Sequence, residues 1–444
     1  MSKLSAFLME EVEMPLIEVV ADMEDAGYSI DVSYFDRLRQ ELEPERTDSL
    51  DQLKAIAGED FNPASPKQVA KLLYDDLSLP VPKTTESGEP ATDKKTLAKI
   101  DHEVARLLLR HRRLNKVIGT YCNIPSETGD DGRLHVDFRQ MGAQTGRFTS
   151  GSLIQTIPKQ TEEFDFNIRR GFRAPAGKLI VAADFDQQEL RILASVSEDA
   201  NMLEAIKAGT DLHGLAAVKV FGLECEPDEV AEKHKAERTK VKGIQFGLIY
   251  GRGPWSLAKS LGITGDEAQQ LQDEYFAQFP GVKAFFDEIH DRVLRDGYVD
   301  DIFGRRRYFP NARLNRPRKH YSRMTEAEKE VLGKINGAKR QAQNFVIQGP
   351  AATITKLAML RCHRHIKENH PNIKMVLQVH DELHFEVPED EVDHFAAELP
   401  KLMCDLDLQR FGLGVTMSVA SQVGPSWGEL QEYNGEQYES NETE

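Results

Sequence analysis

The stretch that most constrains the fold is LIVAADFDQQELRILA, residues 179–194. Its apolar start, residues 179–183, has the length and composition of a buried strand. Asp184 ends this run, and residues 187–194 have the composition of a helix. A carboxylate at such a junction is held rigidly at the edge of a core and is open to solvent on one side. The position suits a metal ligand, although most Asp residues at such junctions simply cap the next helix.

A second stretch, MVLQVHDELHFEV at residues 375–387, predicts two short strands that meet at His380, Asp381 and Glu382. Acidic residues are poor strand formers, so the turn is either an ordinary exposed hairpin or a second fixed carboxylate. If the fold brings Asp381 beside Asp184, the like charges repel unless cations lie between them. Two carboxylates with Mg²⁺ ions about 4 Å apart form the usual arrangement for in-line displacement at phosphorus.

Length and composition predict a soluble protein of a reducing cytoplasm. The chain has 444 residues, enough for two or three core-forming units. Its N-terminus lacks the pattern of a signal peptide, and no apolar run approaches the roughly 20 residues that a membrane-spanning helix needs. The net charge of −17 argues against a nonspecific nucleic-acid coat but allows a local basic cleft. Free thiols in a reducing compartment are expected at Cys122, Cys225, Cys362 and Cys404.

A third stretch, ERTKVKGIQFGLIYG, places Arg238, Lys242, Phe246 and Tyr250 at four-residue spacing. On a helix each such step drifts by only about 40°, so the four side chains form one stripe. Two cations followed by two aromatic rings suit a nucleotide, whose phosphates meet the charges while its sugar and base lie on the rings. An amphipathic helix with both rings in the core and both cations in water explains the spacing equally well.

Four further regions carry weaker signals. Residues 304–323 contain eight Arg and Lys residues, which indicates a loop that contacts nucleic-acid backbone. The basic cluster in the helix predicted at 97–121 is by default a solvated face. Arg147, among small residues, is placed to project from a turn toward a phosphate. A long helix predicted at 334–365 has on one face three residues that are either solvated or reach into a minor groove, namely Arg340, Asn344 and Gln348.

Together these stretches resemble the motifs of family A DNA polymerases, the bacterial DNA polymerase I type. DFDQQELR resembles motif A, RTKVKGIQFGLIYG motif B and QVHDE motif C. TGRF with the following QTIP resembles the template-primer segment of that family, and RQAQNFVIQG resembles its minor-groove helix. The order and spacing agree from about residue 13 to residue 430, which is nearly the whole chain.

The resemblance implies an α+β right-hand fold, with an antiparallel palm sheet and largely helical thumb and fingers. The implied parts are an N-terminal segment packing on the palm (1–35), the thumb (36–125), the palm (126–197 and 340–430) and the fingers (198–339), with a basic insertion at about 304–328. The acidic tail, residues 431–444, lacks apolar periodicity and is predicted to be disordered.

The resemblance also implies a DNA-directed DNA polymerase that adds dNTPs to a primer 3′-hydroxyl with two Mg²⁺ ions, for which Mn²⁺ could substitute. The implied metal ligands are Asp184, Asp381 and the Phe185 carbonyl, with Glu382 alongside and Lys242 as proton donor to the leaving pyrophosphate. Glu189 would exclude ribonucleotides. The implied dNTP contacts are Arg238, Lys242, Phe246, Tyr250, His213, Gln187 and Glu189. The implied primer-template contacts are Arg147, Gln155, Arg340, Asn344, Gln348 and His380.

The chain departs from the family pattern at Asp186 and Gln188, where Ser and Ile are usual, and at Leu153, where a polar amide is common. Because no exonuclease segment precedes the polymerase motifs, we expect no proofreading in this polypeptide. A monomer is expected, and a separate exonuclease, helicase or processivity factor is an open partner. The resemblance implies the cytoplasm of a bacterial cell or a phage-infected host, and roles in phage replication and in cellular replication or repair are both compatible with the motifs.

Three other functions share part of this pattern. Reverse transcription would use the same palm chemistry, so the motifs leave it open. A catalytically silent primer-template-binding subunit predicts the loss of a metal carboxylate, yet Asp184 and Asp381 are both present. A metal-dependent nuclease would need neither Glu189 nor the cation–aromatic stripe.

Overall fold

The computed structural model describes residues 3–85, 87–161 and 164–435. The helices are α1 (Lys3–Phe7), α2 (Met14–Ala26), α3 (Val32–Ala57), α4 (Pro66–Ala70), α5 (Lys94–Leu97), α6 (Glu103–Gly119), α7 (Gln188–Ser197), α8 (Ala200–Ala208), α9 (Leu212–Phe221), α10 (Val230–Lys233), α11 (Lys235–Ile249), α12 (Pro254–Leu261), α13 (Gly265–Gln278), α14 (Pro280–Asp296), α15 (Glu326–Asn369) and α16 (Val392–Cys404). π-Helical segments continue α1 and α4, at Leu8–Glu13 and Lys71–Asp76 respectively.

The strands are β1 (Tyr28–Ser29), β2 (Arg133–Leu134), β3 (Phe138–Arg139), β4 (Thr149–Ser150), β5 (Lys178–Phe185), β6 (Tyr298–Asp300), β7 (Arg306–Tyr308), β8 (Lys374–Val379), β9 (Glu382–Pro388), β10 (Val419–Gly424) and β11 (Gln431–Glu432). Five of them form one antiparallel sheet in the order β11-β10-β5-β9-β8. The sheet positions the residues predicted to be functional, because β5 lies at its centre and the β8–β9 turn lies at the same edge as the end of β5.

The register of the sheet confirms both strand predictions. Asp184, near the end of β5, lies opposite Glu382 on β9 and opposite Ala420 on β10. His380 and Asp381 form the turn between β8 and β9. The carboxylates that are far apart in the sequence are therefore brought to one edge by backbone pairing alone.

Each face of the sheet is covered by apolar side chains. The helix α16 packs on one face, where the Phe385 and Phe395 rings lie 5.1 Å apart. On β9, His384 contacts an aromatic cluster formed with Tyr28 and Trp427. Burial on both faces explains why β5 is a nearly continuous apolar run rather than an alternating one.

The predicted disordered tail is ordered at its start, so that prediction is wrong for Gln431–Glu432. These residues form β11 and pair with β10, and the Tyr433 hydroxyl donates to the Asp393 carbonyl at 3.1 Å. Backbone pairing along a sheet edge does not require apolar side chains, and for this reason composition failed to reveal the strand. Residues 436–444 of the predicted tail lie outside the described residues.

Before the sheet, α3 and α6 pack lengthwise and carry a separate small core around Leu53, Leu73 and Leu108. Two cations of α6 have internal partners rather than a solvated face. Arg110 forms ion pairs with Glu45 and Asp165, and Arg112 donates to the carbonyls of Pro63 and Thr92. The interpretation of this basic cluster as a solvated face is therefore wrong for Arg110 and Arg112.

The basic segment 304–323 is likewise only partly available to a ligand. The Arg305 guanidinium donates to Glu13 Oε1 at 2.6 Å, and Lys356 Nζ, which is fully buried, lies 2.8 Å from the same oxygen. Although burial opposes its ionisation, these cations hold the pKa of Glu13 below its ordinary value. Arg306 pairs with Asp300. The nucleic-acid prediction is thus wrong for Arg305, whereas Arg306, Arg316, Arg318 and Arg323 are exposed.

The helical region between the two halves of the sheet extends from α7 to α15. The helix α15 is longer than predicted, and it begins at a capping box between Thr325 and Glu328. Its middle part is buried against α2, α7 and α16. Among the described residues, no helix is both long and apolar enough to cross a membrane.

Candidate active site

A cleft of about 440 Å³ opens at the sheet edge between the β8–β9 turn and α11. It brings together most of the residues predicted from the sequence. The lining residues are Arg147, Asp184, Phe185, Asp186, Gln187, Gln188, Glu189, Leu190, His213, Arg238, Lys242, Phe246, Tyr250, His380 and Asp381. The predicted residues that do not line the cleft are Glu382, Gln155, Arg340, Asn344 and Gln348.

The floor of the cleft contains the carboxylate pair. Desolvation and the neighbouring charges of Asp381 and Glu382 raise the pKa of Asp184 to about 8, and burial raises the pKa of Asp381. Asp184 has water access from the cleft, so its carboxylate is only partly desolvated and repulsion by the neighbouring Asp381 and Glu382 carboxylates also opposes its ionisation. Two acids that oppose each other's ionisation form a donor set that fits hard divalent cations such as Mg²⁺.

This repulsion predicts that Asp184→Asn stabilises the metal-free protein. The pKa of Asp184 is raised in the folded state, so the folded protein binds the proton more tightly than the unfolded chain does. The resulting destabilisation is absent below about pH 4, grows up to about pH 8 and is constant above that pH. Thermal unfolding in EDTA should therefore show a midpoint gain for Asp184→Asn that is larger at pH 8.5 than at pH 6. Asp186→Asn, which changes an exposed neighbouring carboxylate, should show no such gain, and equal gains at both pH values would contradict the argument.

Glu382 is held from the protein side. Its carboxylate accepts a hydrogen bond from His384 Nε2 at 2.9 Å, and His384 Nδ1 lies 3.2 Å from the Tyr28 hydroxyl. Although burial opposes ionisation, His384 holds the pKa of Glu382 below its ordinary value. Tyr28 and His384 were missed by sequence reasoning, because 356 residues separate them and neither stands in a motif of its own.

The backbone is strained at two cleft residues. Gln187 and His380 have φ values of +51° and +57°, in the left-handed region that non-glycine residues rarely adopt. Gln187 is tied down through Asp211 Oδ1, at 2.9 Å, and through the Leu212 N–H, at 3.1 Å. The His380 carbonyl accepts a hydrogen bond from Gln378 Nε2 at 2.6 Å. Strain that the surroundings maintain in this way is typical of functional sites.

The predicted stripe is present on α11 and faces the cleft. Phe246 is 38 % exposed, which excludes the alternative that places its ring in the core. The ring of Tyr250, directly after the helix, lies 6.2 Å from that of Phe246. Lys242 is half-buried, and desolvation together with the charge of Arg238 lowers its pKa. A lysine that releases its proton more readily than usual thus stands beside a fixed guanidinium.

Asp211 organises the cationic side of the cleft. Its carboxylate pairs with Arg238 at 2.7 Å and accepts a hydrogen bond from the His213 N–H as the N-cap of α9. Burial opposes its ionisation, but Arg238 outweighs burial and lowers the pKa of Asp211. His213 Nδ1 lies 2.5 Å from Gln245 Oε1, and burial lowers the pKa of His213. Sequence reasoning missed Asp211, whose one signal was its capping position in GTDLHG.

Glu189 closes one wall of the cleft and is only 8 % exposed. Its Oε1 forms an ion pair with Arg147, while Oε2 is buried without a hydrogen-bond partner among the described residues. Gln348 and Tyr250 lie next to this carboxylate, and burial raises its pKa despite Arg147. Arg147, predicted to hold DNA, therefore also fixes the wall that shapes the cleft.

The two motif departures have different environments. Gln188 is buried, and its amide donates to Thr355 Oγ1 at 3.4 Å, so the polar group is accommodated by a hydroxyl on α15. Asp186 is exposed and lies 3.5 Å from Arg191. Its extra charge is therefore partly matched on the outer side of the cleft.

Four of the six predicted primer-template residues lie outside the cleft lining, whereas Arg147 and His380 are part of it. Gln155 Nε2 donates to the Gln378 carbonyl at 3.3 Å and so supports the β8–β9 turn. Arg340 packs against Gly251, where a Cβ atom would lie 2.7 Å from the arginine side chain. Asn344 Oδ1 is buried without a partner among the described residues. Leu153, where a polar amide is common, is 41 % exposed.

A fold of this kind, with paired carboxylates at the sheet edge facing a helix of cations and rings, belongs to the right-hand polymerases. Within that class the chain is a member of DNA polymerase family A, whose model matches residues 32–429.

Several proteins of this family resemble the chain closely. A DNA polymerase I of Pseudomonas aeruginosa is 34 % identical over 430 residues, which is 96 % of this chain and 44 % of that protein. A DNA polymerase I of Bacillus subtilis is 35 % identical over 427 residues, 95 % of this chain and 46 % of that protein. The POL domain of Pol1 from M. smegmatis, solved in complex with DNA primer-template and dNTP, superposes with a TM-score of 0.83 at 32 % identity, over 96 % of this chain and 71 % of that one. The chain thus spans less than half the length of the two DNA polymerase I relatives.

Proposed function

We propose that this chain is a DNA-directed DNA polymerase that adds dNTPs to a primer 3′-hydroxyl. The observation that carries the proposal is the convergence, in one cleft, of the Asp184–Asp381 pair with the α11 stripe. Opposite charges face each other across a space of nucleotide size: acids on the floor, and Arg238 and Lys242 on the wall. A triphosphate bound between them meets the cations directly and the acids through divalent metal ions.

We propose that Asp184, Asp381 and the Phe185 carbonyl would hold the metal ions, with Mg²⁺ as the preferred ion and Mn²⁺ as a substitute; the buried carboxylate pair supports this. When bound, two such ions supply Lewis-acid activation of the attacking hydroxyl and charge neutralisation at phosphorus. Glu382, ionised and fixed by His384, adds a further negative charge behind this pair.

The remaining cleft residues bind and orient the nucleotide. Arg238, held by Asp211 at 2.7 Å, presents its guanidinium to the triphosphate in a fixed direction. Lys242, with its lowered pKa, donates a proton to the departing pyrophosphate. His213 sits beside the phosphates, and Phe246 packs under the deoxyribose. Tyr250 and Gln187 complete the pocket near the templating base and the sugar.

We propose for the other regions the division that the resemblance implies. The helical arm formed by α3 to α6 is the thumb, α8 to α14 with the start of α15 form the fingers, and the sheet with α7 and the rest of α15 is the palm. The primer-template would lie across the palm, where it would meet Arg147, Gln155, Arg340, Asn344, Gln348 and His380. Exposed Arg316, Arg318 and Arg323 of the basic segment are placed to contact DNA backbone farther away.

Glu189→Ala is expected to relax discrimination against ribonucleotides by about 10- to 100-fold. The wild-type carboxylate occupies the space beside the sugar, and a 2′-hydroxyl there collides with it or leaves a buried charged group badly solvated. The measurement is the ratio of kcat/KM for dCTP and CTP in single-nucleotide primer extension. Glu198→Ala, a change at the other end of α7, should leave the ratio unchanged, and an unchanged ratio for Glu189→Ala would remove its assigned role.

The direct test of the proposed function is primer extension by the purified chain on a DNA template with dNTPs and Mg²⁺. Template-dependent addition is the expected result. Binding of primer-template without addition would instead support a non-catalytic DNA-binding subunit. The same assay on an RNA template compares reverse transcription with the proposed activity.

A further inference from the structure

A cluster of histidines and carboxylates lies at the opposite end of the β8–β9 hairpin from the active-site turn. His365 and His370 stand at and just beyond the end of α15, and Glu398 and His394 lie on α16. The six residues of β8 separate this cluster from the turn by about 20 Å, at roughly 3.3 Å per residue. None of these residues has a role in the proposed polymerase chemistry.

Three imidazole nitrogens surround one carboxylate oxygen. Glu398 Oε2 lies 3.0 Å from His365 Nε2, 3.9 Å from His370 Nε2 and 3.8 Å from His394 Nε2. Potential ligand atoms of His365, His370 and Glu398 all fall within 4.8 Å of one another. Ligand atoms about 2.0–2.1 Å from a tetrahedral Zn²⁺ ion are separated by about 3.3 Å. The observed separations bracket this value.

The hydrogen bonding of His370 favours a cation at the centre. Its Nδ1 lies 2.7 Å from Glu391 Oε2, an arrangement in which Nδ1–H donates to the carboxylate. In the neutral ring Nε2 then carries a lone pair that faces Glu398 Oε2 at 3.9 Å, and either a proton on Nε2 or a metal ion between the two atoms relieves this contact of two acceptors. A carboxylate on the outer nitrogen of a histidine is also the usual support for a metal ligand, since it fixes the tautomer and the ring.

The imidazole rings of His365, His370 and His394 pack side by side, with His370 in the middle. The His365 and His370 centroids lie 5.3 Å apart and those of His370 and His394 5.7 Å apart. The His370 side chain is 11 % exposed and that of His365 is 20 % exposed, whereas that of His394 is 74 % exposed. Two imidazoles and one carboxylate are therefore fixed by the fold, and the fourth position is open to His394 or to water.

We propose that His365, His370 and Glu398 bind one Zn²⁺ ion, with His394 as the fourth ligand. Nitrogen and carboxylate donors in tetrahedral array select Zn²⁺ over Mg²⁺, which prefers an octahedral shell of oxygen. The ion would cross-link the end of α15 to α16, and since α16 packs on the sheet, it would fasten the outer layer of the proposed palm. Its function is structural and is independent of nucleotide transfer.

The test is Zn²⁺ titration of the EDTA-stripped and desalted full chain by calorimetry, with excess Mg²⁺ present to occupy the active-site carboxylates. The wild type is expected to bind one more equivalent of Zn²⁺ than Glu398→Gln, or to bind it at least tenfold more tightly. His135→Gln, a change in an exposed histidine that pairs with Asp131 elsewhere, should behave as the wild type. Equal Zn²⁺ binding by the wild type and Glu398→Gln would overturn the proposal.

Two further measurements separate ligand loss from misfolding. Saturating Zn²⁺ should raise the thermal midpoint of the wild type by mass action, and this gain should be lost in Glu398→Gln although its metal-free midpoint and Mg²⁺-supported primer extension are unchanged. His394→Gln changes a mostly exposed side chain and should lower Zn²⁺ affinity without altering the fold. A midpoint gain of the same size in all variants would place the ion elsewhere and refute the site.

Discussion

Asp381→Asn is expected to lower the rate of primer extension at least about a thousandfold while primer-template affinity stays within a fewfold of the wild type. Asp381 lies with Asp184 on the floor of the cleft, where burial raises the pKa of both carboxyls and the charges of Asp381 and Glu382 raise that of Asp184 further. The amide keeps the size of the side chain but removes one anionic metal ligand. Lost stabilisation of about 4 kcal/mol at the transition state corresponds to this factor.

Rapid-quench extension of one nucleotide measures the rate, and fluorescence anisotropy of labelled primer-template measures binding. Asp390→Asn is the matched control. It changes an exposed carboxylate just after the end of β9, whereas Asp381 directly precedes the start of that strand. Activity within tenfold of the wild type for Asp381→Asn, with intact binding, would show that the carboxylate pair does not carry the reaction. An unfolded variant is distinguished by its loss of DNA affinity.

The sequence predicted the elements of the site better than their connections. The end of β5 at Asp184 and the turn at Asp381 follow from local composition, since an apolar run must be buried and an acidic turn interrupts it. The stripe on α11 follows from helical periodicity. All these features require only the residues within one element, and the structure places them in one cleft.

The contacts that hold the site in place were not predictable in the same way. The Tyr28–His384–Glu382 chain, the Arg147–Glu189 pair and the Asp211–Arg238 pair each join side chains from different elements. Such pairs depend on how elements pack, and no local pattern of one sequence encodes them. The prediction that Arg305 contacts DNA was wrong for the same reason. Arg305 and Lys356 pair with the buried carboxylate of Glu13, and the local composition does not reveal that contact.

The two sides of the cleft also differ in how their charges are satisfied. On the cationic side, Arg238 is already paired with Asp211, so the positive charge of Arg238 is matched before any nucleotide binds. Lys242 also lines the cleft, and desolvation together with the charge of Arg238 lowers its pKa. Binding of a triphosphate adds negative charge next to Lys242, which raises its pKa and keeps it protonated until pyrophosphate departs.

Lys242→Ala is accordingly expected to reduce the rate of nucleotide addition by about 10²- to 10⁴-fold, the range typical of a lost general acid. Lys242→Arg is the informative companion, because it keeps the positive charge but has a pKa too high for ready proton donation. If proton transfer is the main role, Lys242→Arg should restore dNTP affinity but recover little of the rate. Single-turnover extension at varied dNTP concentration separates the two quantities.

The pH profile makes this distinction independent of the size of the rate loss. Proton donation by Lys242 requires its protonated form, so the wild-type rate should fall on the alkaline side as the ammonium loses its proton, and this limb should be absent in Lys242→Arg. Lys240→Ala, a change in an exposed lysine on the same helix, should match the wild type throughout. If Lys242→Arg instead recovers the full rate and keeps the alkaline limb, the residue acts by charge alone and another group donates the proton.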